Sequence, residues 1–325
     1  MPTATTTTTT TMATPTDDTI ESTARTTQAT LNYLLPNGPS INRRFVSAGI
    51  ELNTGRYGPY PVTIRDGRAI RSHFTLPRHG FTLLDAPTTI TNFHDSAEIE
   101  EKYQAEVCEH VRQALGADLV FAQGWMLRSS SGERVASHKA AEKANGEGKP
   151  YRHYGGLQPA AGEVHVDTEP LRQLAAAERL YARARPEGGP GFKRFVMSSF
   201  WRTFSAPPQD CPLAVCDARS VGDGEGTPNV LWVVDRIPET EEERLAEMDD
   251  EKQLAASIFE YSEGHRWWYF SGMERGEALL FKFHDSVPGK EGGGWRVPHT
   301  AFWDGSFEGA RERESIECRT IAFWE

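Results

Sequence analysis

Short apolar stretches broken by turn signals run through most of this chain. Between residues 30 and 85, Asn53-Thr-Gly55 and Arg65-Asp-Gly67 separate apolar segments, and Pro61-Val-Thr-Ile64 has the character of a strand. The period then changes. Ile99, Tyr103, Val107, Val111 and Leu115 recur every four residues, which predicts a helix with one core-facing stripe, capped by Asp95-Ser96 and ended by Gly116. Leu119 to Leu127 follows as a buried strand. A second helix is expected after Asp167, with Pro170 in its first turn, running to about Ala184. Strands are predicted near 193–204, 212–216, 229–235, 266–271, 278–284, 296–302 and 314–324. An acidic helix at 239–248 and a helical or irregular stretch at 250–260 interrupt them. Many short strands, a few helices and no βαβ alternation predict a mainly β fold with helices. The expected core is a double-stranded β-helix, a cupin-like jelly roll, flanked by α-helices.

Two segments fall outside the pattern. Residues 1–28 open with MPTATTTTTTTMATPTDD and lack the apolar centre and basic flank of a signal peptide, so a disordered Thr-rich tail is expected. Residues 129–150, SSSGERVASHKAAEKANGEGKP, are expected to form a mobile loop. That leaves 29–325 as a single domain, and 38% hydrophobic residues in a chain of 325 suffice for one large core. The net charge of −11 and the lack of a basic run exclude a nucleic-acid partner. No window approaches the roughly 18 apolar residues of a membrane span, so a soluble cytoplasmic protein is expected. The four cysteines show no CxxC spacing and read as free thiols of a reducing compartment. The oligomeric state is left open.

The candidate chemistry lies at His165-Val166-Asp167. In a strand, residues 165 and 167 point to the same side, which makes a two-ligand clip. A third ligand must come from elsewhere. His299, in the strand-like Arg296-Val-Pro-His-Thr-Ala-Phe302, is preferred; His284, in Leu279-Leu-Phe-Lys-Phe-His-Asp285, is the rival but has no Arg-x-Ser at a suitable distance. Two imidazoles and one carboxylate are the ligand set of non-haem Fe(II) oxygenases, with three positions left open. 2-Oxoglutarate would take two of these and O2 the third. The far carboxylate of the co-substrate needs a fixed cation. Arg313, fourteen residues after His299, offers a planar fork, and Ser315 adds a hydroxyl donor. A zinc-dependent hydrolase with the same ligands and a non-catalytic cupin-like binder are the competing readings. His153 is read as a pocket or loop residue; His73, His79, His94, His110 and His138 are read as surface or capping residues.

Several segments together carry a resemblance. They are Thr30-Leu-Asn-Tyr33, Phe200-Trp-Arg202, Cys211-Pro-Leu-Ala-Val-Cys-Asp-Ala-Arg219, His265-Arg-Trp-Trp-Tyr-Phe270, Ala278-Leu-Leu-Phe-Lys282, Pro298-His-Thr-Ala-Phe302 and Arg313-Glu-Ser-Ile-Glu317. In this order they resemble the AsaB/CmcJ-like family of fungal hydroxylase/desaturases, from about residue 30 to the C-terminus. The resemblance implies an Fe(II)/2-oxoglutarate-dependent oxygenase of secondary metabolism. It implies His165, Asp167 and His299 as iron ligands and Arg313 as the co-substrate arginine. Trp201-Arg202 matches the family's Trp-Arg pair, with Ser199 where the family has asparagine. Ile321-Ala-Phe323 resembles the pocket segment of the TqaL-type branch, which closes an aziridine ring on valine by oxidative C–N bond formation. For a small amino-acid substrate, Arg202 and Arg128 are candidates for its carboxylate and Tyr151 or His153 for its amine. Ile321 and Phe323 are candidates for the apolar wall. Hydroxylation or desaturation of another metabolite is the alternative outcome.

Overall fold

The computed structural model describes residues 17–47, 50–144, 156–168, 173–246, 253–287, 296–303 and 309–325. The N-terminal part holds α1 (Asp17–Glu21), β1 (Arg25–Leu34), β2 (Asn42–Ser47), β3 (Ile50–Asn53), β4 (Tyr57–Asp66), α2 (Leu76–His79) and β5 (Phe81–Asp85). Next come α3 (Ser96–Glu98), α4 (Gln104–Leu115), β6 (Leu119–Ser129), α5 (Gly132–Ala144) and the short β7 (Leu157–Pro159) and β8 (His165–Val166). Then follow α6 (Gln173–Ala184), β9 (Arg194–Thr203), β10 (Leu213–Cys216), β11 (Thr227–Val233) and α7 (Glu241–Leu245). The chain ends with β12 (Gln253–Ile258), β13 (Trp267–Tyr269), β14 (Glu277–Asp285), β15 (His299–Ala301) and β16 (Glu314–Trp324).

These strands make two sheets. One has ten strands in the order β1-β4-β13-β10-β15-β8-β12-β11-β2-β3; the other has six, β5-β14-β9-β16-β6-β7. The main core lies between them. Trp201, Phe281, Phe283 and Ile321 from the smaller sheet meet Ile64, Val166, Val215 and Trp267 from the larger. A second core covers the outer face of the smaller sheet, where Tyr103, Val107 and Val111 pack on Phe200, Leu280 and Ile316. Two facing sheets with helices outside are the jelly roll that the strand pattern predicts. The four-residue apolar spacing exceeds the 3.6 residues of an α-helical turn. A wider helical turn over Ile99–Tyr103 takes up part of that excess, and Ile99, Tyr103, Val107 and Val111 are all fully buried.

Three segments differ from the sequence expectation. The loop expected at 129–150 contains α5, whose Ala, Glu and Lys content suits a helix. Ser131 starts it, accepting Val135 N–H at its carbonyl (3.2 Å) and Arg134 N–H at Oγ (3.4 Å). Residues 145–150 lie outside the described residues. The stretch 250–260 contains a strand, β12, held between β11 and β8 rather than by any pattern of its own. The tail expected to reach residue 28 gives way to α1 at Asp17 and β1 at Arg25. Threonine is β-branched and suits a strand, and β1 pairs with β4 from Arg25↔Asp66 onward. Arg219 fastens α1 by bonding Asp17 (2.9 Å) and Glu21 (2.6 Å).

Candidate metal centre and co-substrate pocket

β8 is only two residues long but sits in the interior of the larger sheet, between β12 and β15. His165 and His299 are register partners across β8 and β15, and their ring centroids lie 4.4 Å apart. Each ring is fixed in the same way. His165 Nδ1 is 2.8 Å from the carbonyl of Glu163, and His299 Nδ1 is 3.1 Å from that of Val297. A carbonyl only accepts, so both Nδ1 atoms carry the proton and both Nε2 atoms offer lone pairs. Asp167 completes the group, with Oδ1 3.6 Å from His165 Nε2 and Oδ2 3.4 Å from His299 Nε2. Ligand atoms bonded at about 2.1 Å and right angles to one ion stand roughly 3 Å apart. The spacing therefore fits a facial site after small shifts.

The electrostatics agree with that fit. Burial lowers the proton affinity of His165, and the neighbouring His299 adds to the effect. Burial alone would raise the Asp167 carboxyl, but the Arg319 guanidinium beside it holds it well below the usual range. A neutral His165 imidazole beside an ionised carboxylate is the combination that metal binding needs.

His284, the rival ligand, lies elsewhere and stacks on Phe195 at 5.2 Å. A second group, Glu21, His73 and His79, also brings ligand atoms within 4.8 Å of one another. Its chemistry is different. His79, expected as a surface or capping residue, is fully buried, and its Nδ1 accepts the N–H of Thr75, the residue that opens α2, at 3.1 Å. Its ring proton therefore sits on Nε2, which has no lone pair to give, and Arg219 takes Glu21 Oε1 at 2.6 Å.

Arg313 lines the same recess as His165 and His299, and Ser315 is buried two residues further on. That recess is walled by Trp201, Leu213, Phe281 and Arg313. Arg313 is 1% exposed and Ser315 fully buried, yet Arg313 Nε and Nη2 and Ser315 Oγ have no acceptor among the described residues. Burial pushes the guanidinium below its usual value. Buried donors without partners carry a desolvation cost of about 1–3 kcal/mol each, more for charged groups. Two such donors on Arg313, which lines the recess, with the Ser315 hydroxyl two residues along the chain, fit a bound carboxylate.

A larger cavity of about 510 Å³ opens beside the triad. Arg44, Arg128, Glu163, Gln158 and Asn229 line it together with His165 and Asp167. Arg128 borders both spaces and donates to the Pro159 carbonyl at 2.9 Å. Tyr151 and His153 lie outside the described residues.

The remaining expected substrate contacts are placed differently. Arg202 follows Trp201 on β9 and points to the opposite face, where it bonds Tyr103 Oη (3.2 Å) and the Arg275 carbonyl beneath α4. Strand alternation forces this once Trp201 faces inward. Ile321 and Phe323 share the inner face of β16 with Arg319, but lie further along it. Both are fully buried in the core; Phe323 packs on Phe192 (5.1 Å) and Tyr181 (5.3 Å), and neither residue lines the cavity.

Sequence reasoning missed Arg44, Glu163, Glu317 and Arg319. Arg319 Nη2 bonds Asp167 Oδ1 at 2.8 Å, and its Nε bonds Glu317 Oε1 at 2.8 Å. The odd-numbered positions after Arg313 were the available signal, because they share its face of the strand.

Donors of these kinds, set on a jelly roll, define one class: the non-haem Fe(II)/2-oxoglutarate-dependent oxygenases. Comparison with known proteins narrows it. A family model described as an oxidoreductase/YMDC permease-like domain matches residues 31–323. The hydroxylase/desaturase CTB9 of Cercospora beticola is 30% identical over 279 residues, which cover 83% of this chain and 78% of that protein. The Fe(II)/2-oxoglutarate-dependent dioxygenase nvfI of Aspergillus novofumigatus is 29% identical over 275 residues, 82% of this chain and 84% of its own. The solved structure of the iron and alpha-ketoglutarate-dependent endoperoxidase NvfI superposes with a TM-score of 0.68 at 22% identity, covering 92% of this chain and 98% of that one. The chain belongs to this family of fungal hydroxylase/desaturases and Fe(II)/2-oxoglutarate-dependent dioxygenases. It is an oxidoreductase that uses Fe(II), 2-oxoglutarate and O2. Among the described residues no helix is long and apolar enough to cross a membrane.

Proposed function

We propose that His165, Asp167 and His299 hold the ferrous ion, and that Arg313 and Ser315 bind the far carboxylate of 2-oxoglutarate. The observation that carries this reading is the set of buried donors on Arg313 and Ser315 beside the triad. A zinc hydrolase or a simple binder has no use for a dehydrated guanidinium at that place. When bound, iron with its keto acid and O2 supplies an oxidant able to take hydrogen from an unactivated C–H bond. The protein's own residues do the rest. The Nδ1 bonds of His165 and His299 aim their lone pairs inward. Trp201, Leu213 and Phe281 keep water from the co-substrate.

The substrate we assign to the larger cavity is a small fungal secondary metabolite or precursor bearing both acid and base, such as an α-amino acid. Arg44 and Glu163 support this, because they stand 4.0 Å apart on the cavity wall and offer one charge of each sign. Arg44 and Arg128 would receive a carboxylate and Glu163 an ammonium group. Oxidative C–N closure of L-valine to an aziridine is the specific reaction to test, with hydroxylation or desaturation as the other outcomes.

Anaerobic titration with Fe(II) and 2-oxoglutarate should give a visible charge-transfer band, and a panel of amino acids and terpenoids should then be scored by succinate release. Full activity with Zn(II) and no response to 2-oxoglutarate would end the oxygenase reading. Terpenoids turned over while every amino acid is refused would end the substrate assignment.

A further inference from the structure

We propose that Arg319 is a positioning residue of the metal centre, holding Asp167 so that a single carboxylate oxygen faces the ion. The proposal rests on the reading of His165, Asp167 and His299 as iron ligands. Arg319 Nη2 lies 2.8 Å from Asp167 Oδ1. The other oxygen, Oδ2, lies 3.4 Å from His299 Nε2 and has no hydrogen-bond partner among the described residues. One oxygen is thus taken by a cation and the other is left for a metal.

The consequence for the centre is a count of open positions. An aspartate free to turn about its last torsion can bind a metal through one oxygen or through both. Binding through both would fill a position that the keto acid or O2 needs. A guanidinium on Oδ1 fixes the carboxylate plane and withdraws that oxygen. Arg319 is itself fixed. Its Nε donates to Glu317 Oε1 at 2.8 Å, and its guanidinium carbon lies 5.8 Å from the Phe283 ring centroid. Glu317 is 6% exposed, and its Oε2 stands 4.0 Å from Arg128 Nε at the border of the co-substrate recess. One planar fork therefore ties a metal ligand to a carboxylate beside the co-substrate pocket. Lysine has a compact head and would hold one carboxylate at a time.

The test uses full-length wild type, Arg319→Gln, Arg319→Lys and Glu317→Gln, each stripped of metal. Fe(II) affinity is measured anaerobically, the 2-oxoglutarate charge-transfer band is recorded, and the urea midpoint of the metal-free protein is determined. Arg319→Gln should weaken Fe(II) binding on the order of 10–100-fold, the usual effect of removing a partner of a metal ligand. It should also displace the band. Arg319→Lys should lose less, and Glu317→Gln, which leaves Arg319 in place but loosened, less again. If Arg319→Gln does not fold, the other two variants carry the test. Variants that bind Fe(II) within about two-fold of wild type, with an unmoved band, would overturn the role whatever their urea midpoints, since removing a hydrogen-bond partner of a metal ligand ordinarily costs about tenfold or more. A wild type that binds no Fe(II) would instead remove the ligand assignment on which the role depends.

Discussion

Arg313 lies over the face of Trp201, its guanidinium carbon 5.5 Å from the ring centroid. An aromatic ring holds the cation in place without occupying its N–H groups, which leaves the fork free for a carboxylate. Removing the fork should therefore act on the co-substrate and spare the metal. Arg313→Ala should raise the 2-oxoglutarate requirement on the order of 100-fold, the loss of about 3 kcal/mol for one partner of a buried charge pair. Ser315→Ala should cost about 1 kcal/mol, roughly five-fold. Isothermal titration of the Fe(II)-loaded variants checks both, and unchanged affinity in Arg313→Ala would contradict the assignment.

The two candidates for the third ligand should separate cleanly. His299→Ala should abolish stoichiometric Fe(II) binding. His284→Ala, which removes a ring stacked on Phe195, should keep it. Metal content after anaerobic dialysis decides, and retention of iron in His299→Ala would defeat the triad.

Ile321→Ala and Phe323→Ala should behave as core deletions. The expected losses are about 2–5 and 3–5 kcal/mol in urea unfolding. Intact stability together with a changed product would mean that these side chains reach the substrate after all.

Acid stability should depend on His79. Burial lowers its proton affinity to about 4, from the ordinary 6.5. On acidification the unfolded chain takes up this proton first. The contribution to stability is therefore whole above pH 6.5 and drains as the pH falls toward about 4. His79→Asn keeps an oxygen for the Thr75 N–H and has nothing to titrate. Its stability should fall with acid less steeply, by up to about one proton, over that window. Parallel curves for the two proteins would refute this.

Part of the candidate site is legible in the sequence because neighbouring positions follow strand periodicity. Alternation suggests the pairs 165/167 and 313/315, each of which has one member just outside its strand, β8 or β16. Periodicity does not fix phase, however. Arg202 and Trp201 are neighbours, and only the packing of Phe200 under α4 decides which of them faces the recess. Nor does it fix depth. Ile321 and Phe323 are on the correct face of β16 but beyond the cavity. Arg319 was passed over because its partner Asp167 lies far away in sequence, and no local pattern announces such a pair. β12 escaped notice for a related reason, since neighbouring strands define it. α5 did so because a polar helix rich in good helix formers looks like a loop when hydrophobicity alone is counted.

The direct pairing of His299 with His165 sets the gap between the imidazoles by the rungs of a backbone ladder. A metal held by the proposed ligands would therefore meet a gap already set by backbone and need only small side-chain shifts. Such a seat discriminates weakly among divalent metals of similar size, which favours whichever is abundant when the protein is made. Purified material should be expected to carry the metal of its growth medium, and stripping and reloading should restore iron without unfolding the chain.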